Sequence, residues 1–212
     1  YNKECILING PISKKTFLNK KYLGITEYLA RKTKVKNEVM LIYNKKLSVS
    51  PITTHIPIKD VAKKITKNKI IKKILQINKF YKIFFNKRAK IAVLGLNPHC
   101  ESTDSFSEED KIIKPSINDL KNLGIDVNGP FSADSFFLKR NIENYDVVVG
   151  MYHDQVLTPI KTLFNFFAIN ITIGLPFLRI TPDHGPNSDM LGKNKSDPSS
   201  FFYAMKFIEN IK

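Results

Sequence analysis

Short apolar runs alternate along this chain with longer segments whose apolar residues recur every three or four positions, and that alternation limits the fold more than any other feature. Residues 5–8, 39–43, 47–49, 91–96, 146–149 and 168–173 read as strands, whereas 22–32, 59–90, 108–123 and 199–211 read as helical segments. In the longest of these, Ile70, Ile71, Ile74, Leu75, Tyr81, Phe84 and Phe85 share one helical face. Asn44-Lys45-Lys46 reads as the turn of a strand pair, and Asn128-Gly129-Pro130 as a second turn. Strands separated by helices predict an α/β architecture with a substantially parallel sheet. With 212 residues, 42% of them hydrophobic, the chain can bury a real core, and no repeat or linker divides it. It reads as one α/β unit.

The net charge of +15 raises the question of a polyanionic partner. Nearly all of that charge is lysine, the arginines being Arg31, Arg88, Arg140 and Arg179, and a surface built to read bases or grip phosphates favours arginine. The lysines of 59–90 are the wet face of an amphipathic helix, and no specific nucleic-acid partner is expected. No apolar run approaches the roughly 18 residues that span a bilayer, and the start Tyr1-Asn2-Lys3-Glu4 is not a secretory leader. Only two cysteines, Cys5 and Cys100, far apart in sequence, argue against a disulfide framework. A soluble protein of the reducing cytoplasm, without a membrane partner, is the expectation.

Three of the four histidines follow strands: His55 in TTHIP, His99 in GLNPH and His153 in MYHDQ, with His184 in a loop. Loops at the carboxyl ends of strands form the ligand crevice of open α/β sheets. Neutral imidazoles suit a divalent transition metal, and three protein ligands leave positions open for substrate or water. Their wide spacing matches no zinc-finger pattern, so a set of satisfied polar side chains is the competing reading at this point.

The strings GPISKK, GITEYLA, TTHIP, GLNPH, NGPFSAD, MYHDQ and NITIGLPFLRITPDHG, in that order, resemble the 4-hydroxythreonine-4-phosphate dehydrogenase family of pyridoxal phosphate biosynthesis. The resemblance implies an isocitrate/isopropylmalate dehydrogenase-like fold and a homodimer with its active site at the interface. The chain would correspond to the C-terminal two-thirds of a two-lobed subunit, an N-terminally truncated form of the family. Implied cofactors are NAD or NADP and one divalent ion, zinc, cobalt or magnesium. The substrate would be a small phosphorylated amino acid, 4-phosphooxy-L-threonine, oxidised to a 3-keto acid that loses CO2 to give 3-amino-2-oxopropyl phosphate.

Motif by motif, the resemblance assigns His55, His99 and His153 to the metal, Thr26, Lys161, Asn170 and Arg179 to substrate, and Asp134 and Asp154 to catalysis. An ion lowers the pKa of a substrate hydroxyl and polarises the ketone that follows. Lys161 and Arg179 suit phosphate or carboxylate, and Asp134 and Asp154 suit orienting an imidazole or accepting a proton. MYHDQVLTPIK then reads as a metal-binding turn with a substrate-binding lysine. Without the motif context, Asp134 is a helix-capping acid, Lys161 a surface lysine and Asn170 an ordinary strand residue.

Four departures accompany the resemblance. The chain begins inside the family pattern, so a remnant that binds metal or phosphate without turnover is an alternative. Ile25 stands where the family has a histidine, and isoleucine cannot donate a hydrogen bond to an anion. Such a change bears on substrate affinity or specificity, and a dehydrogenase of a related 4-phosphorylated hydroxy acid is a separate alternative. The stretch 100–105 replaces a glycine-rich segment, and Pro186-Asn187 follows DHG, which leaves His184 outside the metal set and near the cofactor at most.

Overall fold

The computed structural model describes residues 2–12, 22, 24–102, 105–165, 167–183, 185 and 188–211. In chain order the regular elements are β1 (Asn2–Ile8), α1 (Ile25–Lys32), β2 (Val39–Tyr43), β3 (Ser48–Pro51), α2 (Val61–Lys64), α3 (Lys67–Phe85) and β4 (Ile91–Leu94). They continue as α4 (Lys114–Asn122), β5 (Val127–Phe131), α5 (Ala133–Phe136), α6 (Lys139–Ile142), β6 (Val147–Gly150), α7 (His153–Phe164), β7 (Ile169–Ile173), β8 (Phe177–Pro182) and α8 (Ser199–Ile211). None of the helices is long and apolar enough to cross a membrane, among the described residues. The backbone divides into two compact units, Tyr1–Asn44 with Phe164–Lys212, and Lys45–Leu163.

In the first unit β8 runs parallel to β1 and antiparallel to β7, which in turn pairs antiparallel with β2. Helix α8 packs on β7 and β8 and buries Ala204 and Phe207. Helix α1 begins at Ile25 after Gly24, later than the sequence suggests, with Glu27 in its first turn and Arg31 and Lys32 in its last, each complementing the helix dipole.

The second unit is built on a parallel sheet in which β6 lies between β3 and β4, with β5 beyond β4. Val147, Val148 and Val149 of β6 and Ile91 to Leu94 of β4 are fully buried. Continuous β-branched runs of this kind arise where helices cover both faces of a parallel sheet. The expected long basic helix is shorter than 59–90: α3 starts at the cap Thr66, whose side chain accepts from the Lys69 N–H at 3.3 Å, and stops at Asn86 in the left-handed region. Ile70, Ile74, Ile77 and Phe80 form its buried face, while Lys72, Lys79 and Lys82 are exposed as the wet face. Before α4, residues Glu109–Ile113 form a single π-helical turn, a widening that often marks functional positions.

Two sequence expectations are corrected here. Asn128-Gly129-Pro130 is not a turn but part of β5, paired with β4 across a register shift. Gly129 sits at φ +135°, where a Cβ would come within 2.3 Å of the Val93 carbonyl oxygen, so the glycine marks close strand contact. Likewise MYHDQVLTPIK is the start of a helix, α7, burying Val156, Leu157 and Ile160. Pro159 inside that helix hides it from a propensity reading.

Candidate active site

The second unit brings the three candidate metal histidines to one edge of its sheet. His55 follows β3, His99 follows β4 and His153 opens α7 directly after β6, and these three strands are adjacent and parallel. The β3/β6 register continues past the strand ends: Ile52 N–H donates to Gly150 O at 2.8 Å and Thr53 N–H to Met151 O at 3.1 Å. The buried Thr53 hydroxyl also donates to Met151 O, at 2.7 Å. That continuation carries the His55 ring to 5.6 Å from the His153 ring, centroid to centroid.

His153 Nδ1 lies 2.6 Å from Asp154 Oδ1. A carboxylate on one ring nitrogen fixes the tautomer and turns the other nitrogen outward, as at histidine-metal sites. His99 stands apart from this pair. It sits in a short 3-10 turn, Pro98–Cys100, at φ 55°, and its Nδ1 faces Asp134 Oδ2 at 3.9 Å. Asp134 accepts from the Ser132 hydroxyl at 2.8 Å, and that bond, with His99 nearby, holds its carboxyl below the usual range. Asp134 is not the cap of α5, a place that Ser132 occupies, but lies in the first turn of that helix.

The three imidazoles do not gather into one cluster: among the described residues no group of three His, Cys, Asp or Glu side chains is placed to hold an ion. His99, on a largely exposed turn beyond β4, is the member that stays apart. In donor chemistry the set still fits a divalent ion, with two adjacent rings, one of them oriented by a carboxylate, and a third ring beyond the neighbouring strand.

The first unit holds most of the candidate anion contacts. Arg179 on β8 is 2% exposed; its Nε donates to Asn9 Oδ1 at 2.8 Å, and its Nη1 to Thr26 Oγ1 at 2.9 Å and Thr172 Oγ1 at 2.8 Å. Thr172 is the direct cross-strand partner of Arg179. Burial pulls the guanidinium down to about 10, against the nearby Glu27 carboxylate, which raises it. A desolvated cation with neutral acceptors retains charge for an incoming anion. Asn170 on β7 has a buried Oδ1 with no hydrogen-bond partner among the described residues. Lys161 is partly buried on α7 in the second unit. His184 lies outside the described residues.

Sequence reasoning did not assign roles to Asn9, Thr172, Thr53, Gln155 or Glu109. Gln155 carried a signal in that it sits in MYHDQ, Thr53 in TTHIP and Thr172 in NITIGLPF; Asn9 and Glu109 become visible only through long-range contacts.

Strands separated by helices, with parallel strands that carry histidines beyond their carboxyl ends, belong to an α/β fold of the isocitrate dehydrogenase type. An isocitrate dehydrogenase from Methylococcus capsulatus superposes with a TM-score of 0.61 at 12% identity, over 97% of this chain and 68% of that one, a likeness of fold. More narrowly, the chain belongs to the family described as pyridoxal phosphate biosynthetic protein PdxA, whose model matches residues 2–208. A 4-hydroxythreonine-4-phosphate dehydrogenase from a Sulfurihydrogenibium species is 45% identical over 97% of this chain and 65% of its own length. The crystal structure of the Klebsiella pneumoniae protein of that name gives a TM-score of 0.83 at 32% identity, over 97% of this chain and 64% of that one. A relative from Pectobacterium atrosepticum named D-threonate 4-phosphate dehydrogenase is 37% identical over 84% of this chain and 55% of its length. The chain thus spans less than two thirds of the length of these relatives.

Proposed function

We propose that the chain carries out NAD(P)-linked, metal-dependent oxidation of 4-phosphooxy-L-threonine to a 3-keto acid, which decarboxylates to 3-amino-2-oxopropyl phosphate. The observation that carries this reading is the arrival of His55, His99 and His153 beyond three adjacent parallel strands in a chain of this family. His55, His99 and His153 would hold a zinc, cobalt or magnesium ion. When bound, the ion acidifies a coordinated hydroxyl and polarises the ketone formed from it.

Every other part of the reading belongs to the chain's own side chains. Asp154 orients the His153 ring through the 2.6 Å contact at Nδ1. Asp134, held ionised by Ser132, is a candidate acceptor for the hydroxyl proton. Arg179 and Lys161 supply positive charge to phosphate and carboxylate, Thr26 a hydroxyl, and Asn170 a buried side-chain amide. NAD or NADP takes the hydride. A cytoplasmic homodimer is the matching assembly.

A second reading takes a related 4-phosphorylated hydroxy acid as substrate, in line with the name of the Pectobacterium relative. The two separate in one assay of nicotinamide reduction with 4-phosphooxy-L-threonine and with D-threonate 4-phosphate. The first reading requires kcat/KM for the threonine ester to lead by about 10-fold or more. A lead of that size for the threonate ester selects the second reading, and no reduction with either rejects both.

A further inference from the structure

The candidate anion contact on β8 is held by two side chains that have no role in the chemistry above. Arg179 stands directly across from Thr172 of β7, and Asn170 lies two residues from Thr172 on the same face of that strand. On its other side β8 pairs with β1, where Leu7 is opposite Arg179. The ladder runs one residue past the end of β1, the Asn9 N–H donating to Ile180 O at 3.3 Å. Asn9 is thereby tied to the residue next to Arg179, and all of these residues belong to the first unit.

Both ends of the Asn9 amide are in use. Its Nδ2 donates to Gly10 O at 2.8 Å while its Oδ1 accepts from Arg179 Nε at 2.8 Å, so a flipped amide would lose both bonds. The fully buried Thr172 and, in the first turn of α1, Thr26 accept the two hydrogens of Nη1. A guanidinium is a rigid planar fork of five N–H donors, so acceptors on either side of it fix its plane. With Nε and Nη1 committed, the hydrogens left are those of Nη2, which meets no acceptor among the described residues. A bidentate grip on an anion uses two nitrogens of one edge, and each edge here has one nitrogen already taken. Thr26, having accepted from the cation, keeps its own hydroxyl proton to donate elsewhere.

We infer that Asn9 and Thr172 are positioning residues for substrate binding, which hold the Arg179 guanidinium so that Nη2 is presented to the substrate's phosphate or carboxylate beside the Thr26 hydroxyl. The inference rests on the reading of Arg179 as a substrate contact. Neither Asn9 nor Thr172 touches substrate; each acts through the arginine, Asn9 from the end of β1 and Thr172 from β7.

The test uses the whole chain with Asn9→Leu and Thr172→Val, each close in shape to the residue it replaces but without an acceptor, and with Thr172→Ser, which keeps the hydroxyl. Arg179→Met removes the guanidinium itself. Binding of 4-phosphooxy-L-threonine is measured by calorimetry, kcat and KM by nicotinamide reduction, and folding by thermal melts, with the assays run well below the lowest melting temperature. Asn9→Leu and Thr172→Val are expected to weaken binding and raise KM about 10-fold while kcat stays within about 2-fold of the wild type. Thr172→Ser should bind within about 2-fold of the wild type, and Arg179→Met more weakly than any other variant. Unchanged affinity and KM in either Asn9→Leu or Thr172→Val, even with a lowered melting temperature, overturns the inference, and weak binding by Arg179→Met then leaves the contact reading standing. Thr172→Ser as weak as Thr172→Val overturns it too, because the acceptor is then not what matters. An Arg179→Met variant that binds as tightly as the wild type removes the contact reading and the inference with it, as does a wild type that takes up no ester.

Discussion

Arg179 shows how a buried charge is kept. Its guanidinium donates three hydrogen bonds to Asn9, Thr26 and Thr172, all neutral acceptors, and the Glu27 carboxylate nearby further favours its charged form. Thr172→Val removes one acceptor from a fully buried position at nearly constant volume, and should cost about 1–3 kcal/mol in a urea denaturation series. Glu109 makes a different prediction. Burial pushes its carboxyl up, but the bonds from the Asn97 backbone and side chain and from Leu96 outweigh it and leave the group below its ordinary 4.5. A folded-state pKa below the unfolded one contributes stability above about pH 4.5 that is lost as pH falls through the folded value. The stability gap between wild type and Glu109→Gln should therefore be widest near neutrality and close on acidification, as read by urea midpoints from about pH 6 to about pH 3. A gap that widens in acid contradicts the assignment. Arg179 and the histidines were legible in the sequence because their motifs are local strings. Asn9 and Glu109 were not, since each acts through a partner that only strand pairing or a loop closure brings near.

The elements were legible to the extent that a single period governs them. Helix α3 and the strands β4 and β6 follow directly from apolar spacing, and α8 begins and ends where its pattern does. Helix α7 was missed because Pro159 interrupts its pattern, and β5 because its glycine and proline resemble a turn. These are places where tertiary contact overrides local preference: α7 is secured by its buried Val156, Leu157 and Ile160, and β5 by pairing with β4. Ile74→Ala, at a fully buried position of α3, should cost about 2–5 kcal/mol, whereas Lys72→Ala on the exposed face should stay within about 0.5 kcal/mol, both by chemical denaturation. Gly129→Ala forces a Cβ against the Val93 carbonyl and should lower the melting temperature far more than Gly124→Ala, which meets nothing within 4 Å although its φ of +73° also strains alanine.

At the scale of the molecule, the alternation of strands and helices foretold the α/β class, and the motif strings foretold the family, which the model match over residues 2–208 establishes. The two-unit division was not legible, because the first unit is assembled from both ends of the chain. The central claim concerns the ion that His55, His99 and His153 would share. The direct measurement is nicotinamide reduction with 4-phosphooxy-L-threonine by the whole chain after chelator treatment, then after adding back Zn2+ or Co2+, with His153→Ala in parallel. The account predicts that chelation abolishes turnover, that either ion restores it in the wild type, and that neither restores it in the variant. Turnover that survives chelation, or a His153→Ala variant as active as the wild type, would contradict it.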